Sequence, residues 1–317
     1  MAYTVVIPQD ITEPGKAFLR DKGYAVVVGS GGVEPEDIKR AIAPADAILA
    51  RTAPFTREIL AAAPSLKVIA RHGIGVDNID VDYCTERGVW VTFAPRSNAV
   101  SVAEHAIGFL VAAAHRFSLM DRAARRGDWS VRNTATCVDL EGKTLGVVGL
   151  GRIGGMVAKK AGAAFGMKIL GHDPFVKPGD FPPGVSPAGL EELFAESDFV
   201  SLHAPSTPET RGMVGAAVLA RMKPTAYLVN CARGGLVDEQ ALYEALKNNR
   251  LAGAALDVFE REPADPKNPL FTLENVELTP HSAALTSESL DRMGLHAAMG
   301  IHSALSGERP EWAVNSI

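Results

Sequence analysis

The sequence is poor in the features that would mark an exported, membrane-bound or nucleic-acid-binding protein. Cysteine occurs only three times in 317 residues, at Cys84, Cys137 and Cys231. These are far apart and form no C-x-x-C pair, so neither a disulfide framework nor a zinc site is suggested, and a reducing cytoplasm suits the chain. No uninterrupted apolar run approaches the ~18 residues of a membrane helix. The opening Met1-Ala2-Tyr3-Thr4-Val5-Val6-Ile7-Pro8 lacks a basic segment followed by an apolar one, so no export signal is read. Excess positive charge is missing too: a formal net charge of −5 and a pI near 5.9 give no general attraction to phosphate backbones or anionic lipid. The basic cluster Arg122, Arg125, Arg126 and Arg132 reads as a solvated helix end, and nucleic acid is not expected as a partner. Repeats, low-complexity tracts and long flexible linkers are absent. What remains is a globular composition, 47% hydrophobic and 22% charged, in a chain long enough for two domains.

The most informative stretch that is present lies mid-chain. Thr144-Leu145-Gly146-Val147-Val148-Gly149-Leu150-Gly151-Arg152-Ile153-Gly154-Gly155 is an apolar run, a glycine loop and the start of a segment with helical spacing. Strand, loop and helix in that order are the context a dinucleotide fingerprint requires. Gly149 permits the tight turn, Gly151 lets backbone approach a pyrophosphate at the N-terminus of a helix that begins with Arg152 and Ile153, and Gly154 allows close helix–strand packing. The next strand ends in His172-Asp173, nineteen residues after Gly154, where a ribose diol would be bound. A carboxylate there accepts bonds from both ribose hydroxyls and repels a 2′-phosphate, and Pro174-Phe175-Val176 supplies no arginine, so NAD is expected over NADP.

Short apolar strands alternate with helical stretches from the first residues. Strands are read at Thr4–Pro8, Tyr24–Val28, Ala47–Arg51, Lys67–Arg71 and Val89–Phe93, and again at 145–149, 168–172, 199–203, 226–230, 253–257 and 276–279. Lys22-Gly23 and Arg87-Gly88 read as helix stops. This is α/β alternation, predicting two doubly wound parallel-sheet domains with a cleft between them. The spacing predicts one long connecting helix over 101–126, opened by a capping box at Ser101-Val102-Ala103-Glu104, and a final helix over Ser287–Leu305. Since that last helix has no sheet of its own to follow, it is expected to return to the first domain. The expected boundaries are therefore 1–98 plus 286–317 for one domain and 99–285 for the dinucleotide domain, with the substrate between them.

Hydride chemistry needs a proton acceptor, an anion holder and a group that orients the acceptor. Of eight histidines, His105, His115, His296 and His302 lie within long helices and read as surface or interface residues, while His172 stands at the adenosine end. His72, His203 and His281 each stand at or just after the carboxyl end of a strand, where a parallel sheet presents its ligand, and spacing alone does not choose among them. Asp77, Asp80 and Asp82 suggest a calcium loop, but their spacing and the missing terminal glutamate fail the EF-hand pattern, so no metal is expected.

Three later stretches narrow the choice: Asn230-Cys231-Ala232-Arg233-Gly234-Gly235-Leu236-Val237-Asp238, Leu256-Asp257-Val258-Phe259-Glu260-Arg261-Glu262-Pro263 and Leu278-Thr279-Pro280-His281. With Gly73-Ile74-Gly75-Val76-Asp77-Asn78-Ile79-Asp80, Ser101-Val102-Ala103-Glu104-His105, the glycine loop and His203-Ala204-Pro205 with Thr207, the chain resembles the D-isomer-specific 2-hydroxyacid dehydrogenases, close to the phosphoglycerate dehydrogenase and hydroxypyruvate reductase branch. The resemblance covers nearly the whole chain. It implies a flavodoxin-like substrate domain, a Rossmann NAD domain, and oxidation of a small D-2-hydroxy acid or reduction of its 2-keto acid.

By the same resemblance, Arg233 holds the substrate carboxylate and polarises the C2 oxygen, His281 exchanges the hydroxyl proton, and Glu262 orients His281 and stabilises its imidazolium. The main-chain N–H groups of Ile74 and Gly75 receive the substrate carboxylate. Arg51 and the Arg71-His72 pair either supply cations to a substrate phosphate, as in the phosphoglycerate branch, or close the cleft over a carboxylate. His203, Pro205, Thr207, Cys231 and Asp257 join the cofactor site. A homodimer through helix 101–126 is implied. The substrates in view are hydroxypyruvate, glyoxylate and the 3-phosphoglycerate/phosphohydroxypyruvate pair. The rival reading is an NADH-sensing scaffold like the C-terminal-binding-protein corepressors, which share the fold. The chain shows no extended polar tail for partner peptides and no appended regulatory segment, an expectation that favours an enzyme without serine feedback.

Overall fold

In the computed structural model, which describes residues 2–177 and 179–317, the chain divides into two compact units, Met1–Ala99 with Ala284–Ile317, and Val100–Ala283. The first is built on five parallel strands, β1 Thr4–Ile7, β2 Ala25–Val28, β3 Ala47–Ala50, β4 Val68–Arg71 and β5 Trp90–Thr92, in the order β2-β1-β3-β4-β5. That is the flavodoxin-like order.

Alternating side chains of these strands bury both sheet faces. Val6, Ile48, Ala50 and Ile69 join Ile38, Phe55 and Leu60 in one core. Val5, Ile7, Ala47, Leu49, Val68 and Ala70 join Ala297, Ala298, Ile301 and Leu305 of the final helix, Ser287–Leu305, in the other. That helix packs against the helix Glu13–Asp21 at two glycines: a Cβ on Gly15 would lie 2.6 Å from the carbonyl oxygen of Gly294. Glycine there permits backbone contact that any side chain would block.

The second unit contains seven parallel strands, β6 Thr144–Val148, β7 Lys168–His172, β8 Val185–Pro187, β9 Phe199–Leu202, β10 Tyr227–Asn230, β11 Gly253–Leu256 and β12 Val276–Leu278. Their order is β12-β11-β10-β9-β6-β7-β8. Counted from β6, this is the Rossmann order with one strand added beyond its sixth. Strand β8 is absent from the sequence reading because Val185-Ser186-Pro187 looks like a turn. It pairs only with β7, and the sheet edge is where proline is tolerated in a strand. Strand β7 ends at His172 as read, with Asp173 next, while β9 and β11 stop one residue before their predicted ends, which leaves His203 and Asp257 just beyond their carboxyl ends.

One helix predicted over 101–126 is instead two, Ala99–His115 and Phe117–Arg125, separated by Arg116 in the left-handed region at φ 53°. The break is secured from a distant part of the chain. Glu277, buried on β12, accepts the amide of Ser118 at 3.1 Å and also its hydroxyl, capping the second helix. The first helix begins before Ser101, which is buried within it, so the expected capping box does not form. Glu104 pairs with Lys160 at 3.1 Å instead. Among the described residues, no helix is long and apolar enough to cross a membrane.

Candidate active site

The glycine loop joins β6 to the helix Arg152–Phe165, with Gly151 as its N-cap residue. Gly149 has φ +89°, and a Cβ there would lie 2.8 Å from the carbonyl carbon of His203. A Cβ on Gly154 would lie 1.9 Å from the Gly149 carbonyl oxygen, while one on Gly151 would meet nothing within 4 Å. Two glycines therefore permit close packing, and the third borders open space at a helix N-terminus, where backbone N–H groups and the helix dipole favour a phosphate. Arg152 and Ile153 form the first turn of that helix. The Asp173 carboxylate is fixed beside the loop by the amides of Leu150 (2.8 Å to Oδ2) and Phe175 (2.9 Å to Oδ1). A loop shaped for a pyrophosphate, followed by a held carboxylate, fits a dinucleotide without a 2′-phosphate.

The three histidines left open by spacing have different surroundings. His72 is 5% exposed, and its Nε2 has no hydrogen-bond partner among the described residues. Burial, then the charges of Arg51 and Arg71, pull its pKa down to about 4. His203 bonds through Nε2 to the Ser201 hydroxyl at 2.8 Å, and burial likewise lowers its pKa to about 4. His281 has a half-exposed side chain, and its Nδ1 lies 2.6 Å from Glu262 Oε2. Of the three, it alone has a carboxylate on its ring.

His72 carries a consequence for stability. Its folded pKa lies below its unfolded value, so as pH falls below about 6.5 the unfolded chain binds a proton that the folded chain refuses. Stability is lost through that window, by about 2–3 kcal/mol at pH 4.5. Urea unfolding of a His72→Gln variant at pH 7 and pH 4.5 is expected to show a smaller acid-induced loss than the parent by that amount. Equal losses would refute the assignment.

Glu262 is held in two ways: Oε2 takes the imidazole, and Oε1 accepts the Phe259 amide at 3.0 Å. Partial burial alone would raise its pKa, but the His281 bond, the Phe259 amide and the charges of His281 and Arg233 keep the carboxyl below its ordinary value. It is thus an acceptor at neutral pH, and Nδ1–H of His281 donates to it. Nε2 is the ring atom able to exchange a proton with a bound molecule.

Arg233 enters the same group because its backbone lies against the Glu262 loop. A Cβ on Gly234 would lie 1.9 Å from the Phe259 carbonyl carbon, so only glycine allows this approach. The turn is tied by the Asn230 side chain, which donates to the Arg233 carbonyl at 2.9 Å and accepts the Ala232 amide at 3.0 Å. The Arg233 guanidinium donates to the Ala232 carbonyl at 2.7 Å. A guanidinium, a carboxylate and a proton-exchanging imidazole are thereby gathered at the carboxyl ends of β10, β11 and β12.

The remaining predicted residues of this unit have local roles. Pro205 and Thr207 form a short turn closed by the Thr210 hydroxyl, which donates to the Pro205 carbonyl at 2.7 Å and accepts the Thr207 amide at 2.8 Å. Cys231 is buried, and burial pushes its thiol pKa up. Asp257 is 1% exposed, and its carboxylate accepts the Thr279 hydroxyl (2.5 Å) and the amides of Ser282 (2.7 Å) and Ala283 (3.0 Å). His281 has φ 52°, a left-handed conformation costing about 1–2 kcal/mol for a residue with a Cβ. His105, expected at a surface or interface, instead lies 3.0 Å from the Thr279 hydroxyl and 3.8 Å from Asp257. Its place in a helix gave no sign of this.

Arg51, Ile74 and Gly75 belong to the first unit. Arg51 donates to the Asp10 carbonyl at 2.6 Å, and its neighbour Ala50 is in register with Arg71, so two arginines flank adjacent strand ends. Asn78 holds the loop containing Ile74 and Gly75, donating to the carbonyls of Arg51 (3.0 Å) and Ala53 (2.7 Å). Asp80, one of the calcium-like trio, caps the helix Val81–Glu86 by accepting the Tyr83 amide at 2.9 Å.

Comparison with known proteins identifies the family. Residues 107–283 match the family model for the NAD-binding domain of D-isomer specific 2-hydroxyacid dehydrogenases. The chain is 44% identical over 320 residues to the D-3-phosphoglycerate dehydrogenase of Methanocaldococcus jannaschii, covering 98% of this chain and 59% of that protein. It thus spans little more than half the length of that relative. It is 46% identical over 269 residues to the glyoxylate reductase of Korarchaeum cryptofilum, covering 83% of this chain and 80% of the other. The solved D-lactate dehydrogenase of Aquifex aeolicus, complexed with NAD and lactic acid, superposes with a TM-score of 0.84 at 30% identity, covering 99% of both chains. The chain belongs to the D-isomer specific 2-hydroxyacid dehydrogenase family, and its second unit carries that family's NAD-binding domain.

Proposed function

We propose that the protein is an NAD-dependent oxidoreductase interconverting a small D-2-hydroxy acid and its 2-keto acid, with His281 as the acid–base group. The observation that carries this reading is the 2.6 Å contact between His281 Nδ1 and Glu262 in a half-exposed setting. The glycine loop and Asp173 would hold the nicotinamide cofactor, which would supply or accept the hydride. Arg233 binds the substrate carboxylate and polarises the C2 oxygen. In reduction, imidazolium Nε2–H of His281 protonates that oxygen as C2 gains hydride; in oxidation, neutral Nε2 removes the hydroxyl proton as hydride leaves. Glu262 keeps Nδ1 protonated throughout, so Nε2 does the exchange. Main-chain amides of Ile74 and Gly75 take the substrate carboxylate, with Arg51 as a further cation. Asp257, His203, Pro205, Thr207 and Cys231 border the cofactor.

Substrates in view are hydroxypyruvate, glyoxylate and phosphohydroxypyruvate. Arg51 and Arg71 on adjacent strand ends favour the phosphorylated acid, since guanidinium groups match phosphate geometry. The corepressor-like scaffolds retain a similar trio, so what weighs against that rival is the likeness to proteins named D-3-phosphoglycerate dehydrogenase and glyoxylate reductase. A homodimer through 101–126 is part of the reading, supported by Phe117 in that segment, which exposes 52% of its surface.

NADH oxidation should be followed with glyoxylate, hydroxypyruvate, pyruvate and phosphohydroxypyruvate. Turnover is expected, with the highest kcat/KM for phosphohydroxypyruvate. Absence of turnover with all four would overturn the enzymatic reading.

A further inference from the structure

We propose that His105, acting through Thr279 and Asp257, is a positioning residue for His281. The inference rests on the acid–base role assigned to His281 above. Three consecutive amides of the loop carrying His281 are held by one residue. The His281 amide donates to the Asp257 carbonyl at 2.7 Å, and those of Ser282 and Ala283 donate to its carboxylate at 2.7 and 3.0 Å. His281 is thereby kept in the left-handed conformation, φ 52°, that accompanies its contact with Glu262. The imidazole therefore depends on Asp257 for its placement as well as on Glu262.

Proton counting extends the chain by two residues. The Asp257 carboxylate only accepts, so the Thr279 hydroxyl, 2.5 Å from Oδ1, spends its one proton on it. The contact of 3.0 Å between Thr279 Oγ1 and His105 Nε2 then requires Nε2–H of His105 to be the donor. The sequence of bonds is His105 to Thr279 to Asp257, ending on the His281 loop. His105 is itself braced by its helix, Ala99–His115, and by an edge contact with Phe109 at 4.5 Å between ring centroids. Burial lowers its pKa, with the Asp257 charge opposing, in keeping with a neutral ring serving as a fixed donor. His105 touches no reacting atom in this scheme; it sets the angle at which His281 is offered.

The test compares the parent with His105→Ala, His105→Gln and Thr279→Val. Glutamine places an amide N–H near the former Nε2, so it retains the donor. For 2-keto acid reduction, His105→Ala and Thr279→Val are expected to lower kcat by about tenfold, leaving the KM for NADH within about twofold, because a small misplacement of a reacting group costs rate rather than binding. His105→Gln should recover most of the loss. In the protein without substrate, amide hydrogen exchange at His281, Ser282 and Ala283 should quicken by roughly tenfold in His105→Ala with the melting temperature little changed. A kcat within about twofold of the parent in both truncated variants, or His105→Gln as impaired as His105→Ala, would overturn the proposal. If the parent turned over none of the acids, the functional reading alone would fall. The exchange rates would then decide whether His105 holds the loop: unchanged rates would refute it.

Discussion

His281→Ala is expected to lower kcat by ~10²-fold or more in both directions while leaving NADH affinity within about twofold. The size follows from what the ring does. Without Nε2 the C2 oxygen exchanges its proton with water, and general acid–base assistance is lost. Retained affinity follows from location: the glycine loop and Asp173 follow β6 and β7, away from the turn after β12 that carries His281. Cofactor binding by fluorescence and steady-state kinetics measure the two effects separately. Undiminished turnover would remove His281 from the mechanism. The parent's pH dependence adds a second check. Reduction consumes the imidazolium and oxidation needs neutral imidazole, so the reductive rate should favour the lower pH. Coincident profiles would count against the pairing. Glu262 sets an acid limit with a definite sign. Its folded pKa lies below its ordinary value, so its contribution to stability is full above the unfolded pKa near 4.5 and disappears as pH falls through the folded value.

A preference for NADH over NADPH of at least ~10²-fold in kcat/KM, equivalent to about 3 kcal/mol, is the second large effect. Its source is a carboxylate that is held in place. Asp173 accepts the amides of Leu150 and Phe175 on separate oxygens, so it cannot easily swing aside from a 2′-phosphate, and each oxygen keeps a lone pair for a ribose hydroxyl. Neighbouring Pro174, Phe175 and Val176 offer no positive charge. Asp173→Ser should shrink the preference by raising activity with NADPH and weakening the ribose contact of NADH. Comparable kcat/KM for the two cofactors in the parent would refute this account.

The α/β class and the dinucleotide loop were legible because both depend on local patterns. Apolar strands alternate with helices, and the glycines stand where a strand–turn–helix unit needs them. Strand β8 was not legible, since Val185-Ser186-Pro187 has too little apolar character to mark an edge strand. Nor was the break at Arg116, where neither glycine nor proline interrupts the segment; Glu277, more than 150 residues away in the chain, supplies the cap that stabilises it. The lost capping box at Ser101 has the same origin in tertiary context, which buries that serine within the helix.

By itself, the sequence determined the pair of parallel-sheet domains, the dinucleotide loop with its ribose acid, and three histidines at strand ends. Those follow from short-range periodicity and from residue types that a local conformation demands. Motif resemblance singled out His281 among them, and the tertiary structure decided how their surroundings differ. His72 and His203 are held neutral by burial, whereas His281 meets Glu262 at 2.6 Å. It also drew His105 from a helix face into contact with Thr279 and Asp257. Burial and hydrogen bonds between residues far apart in the chain depend on how strands and loops assemble, and no local spacing encodes them.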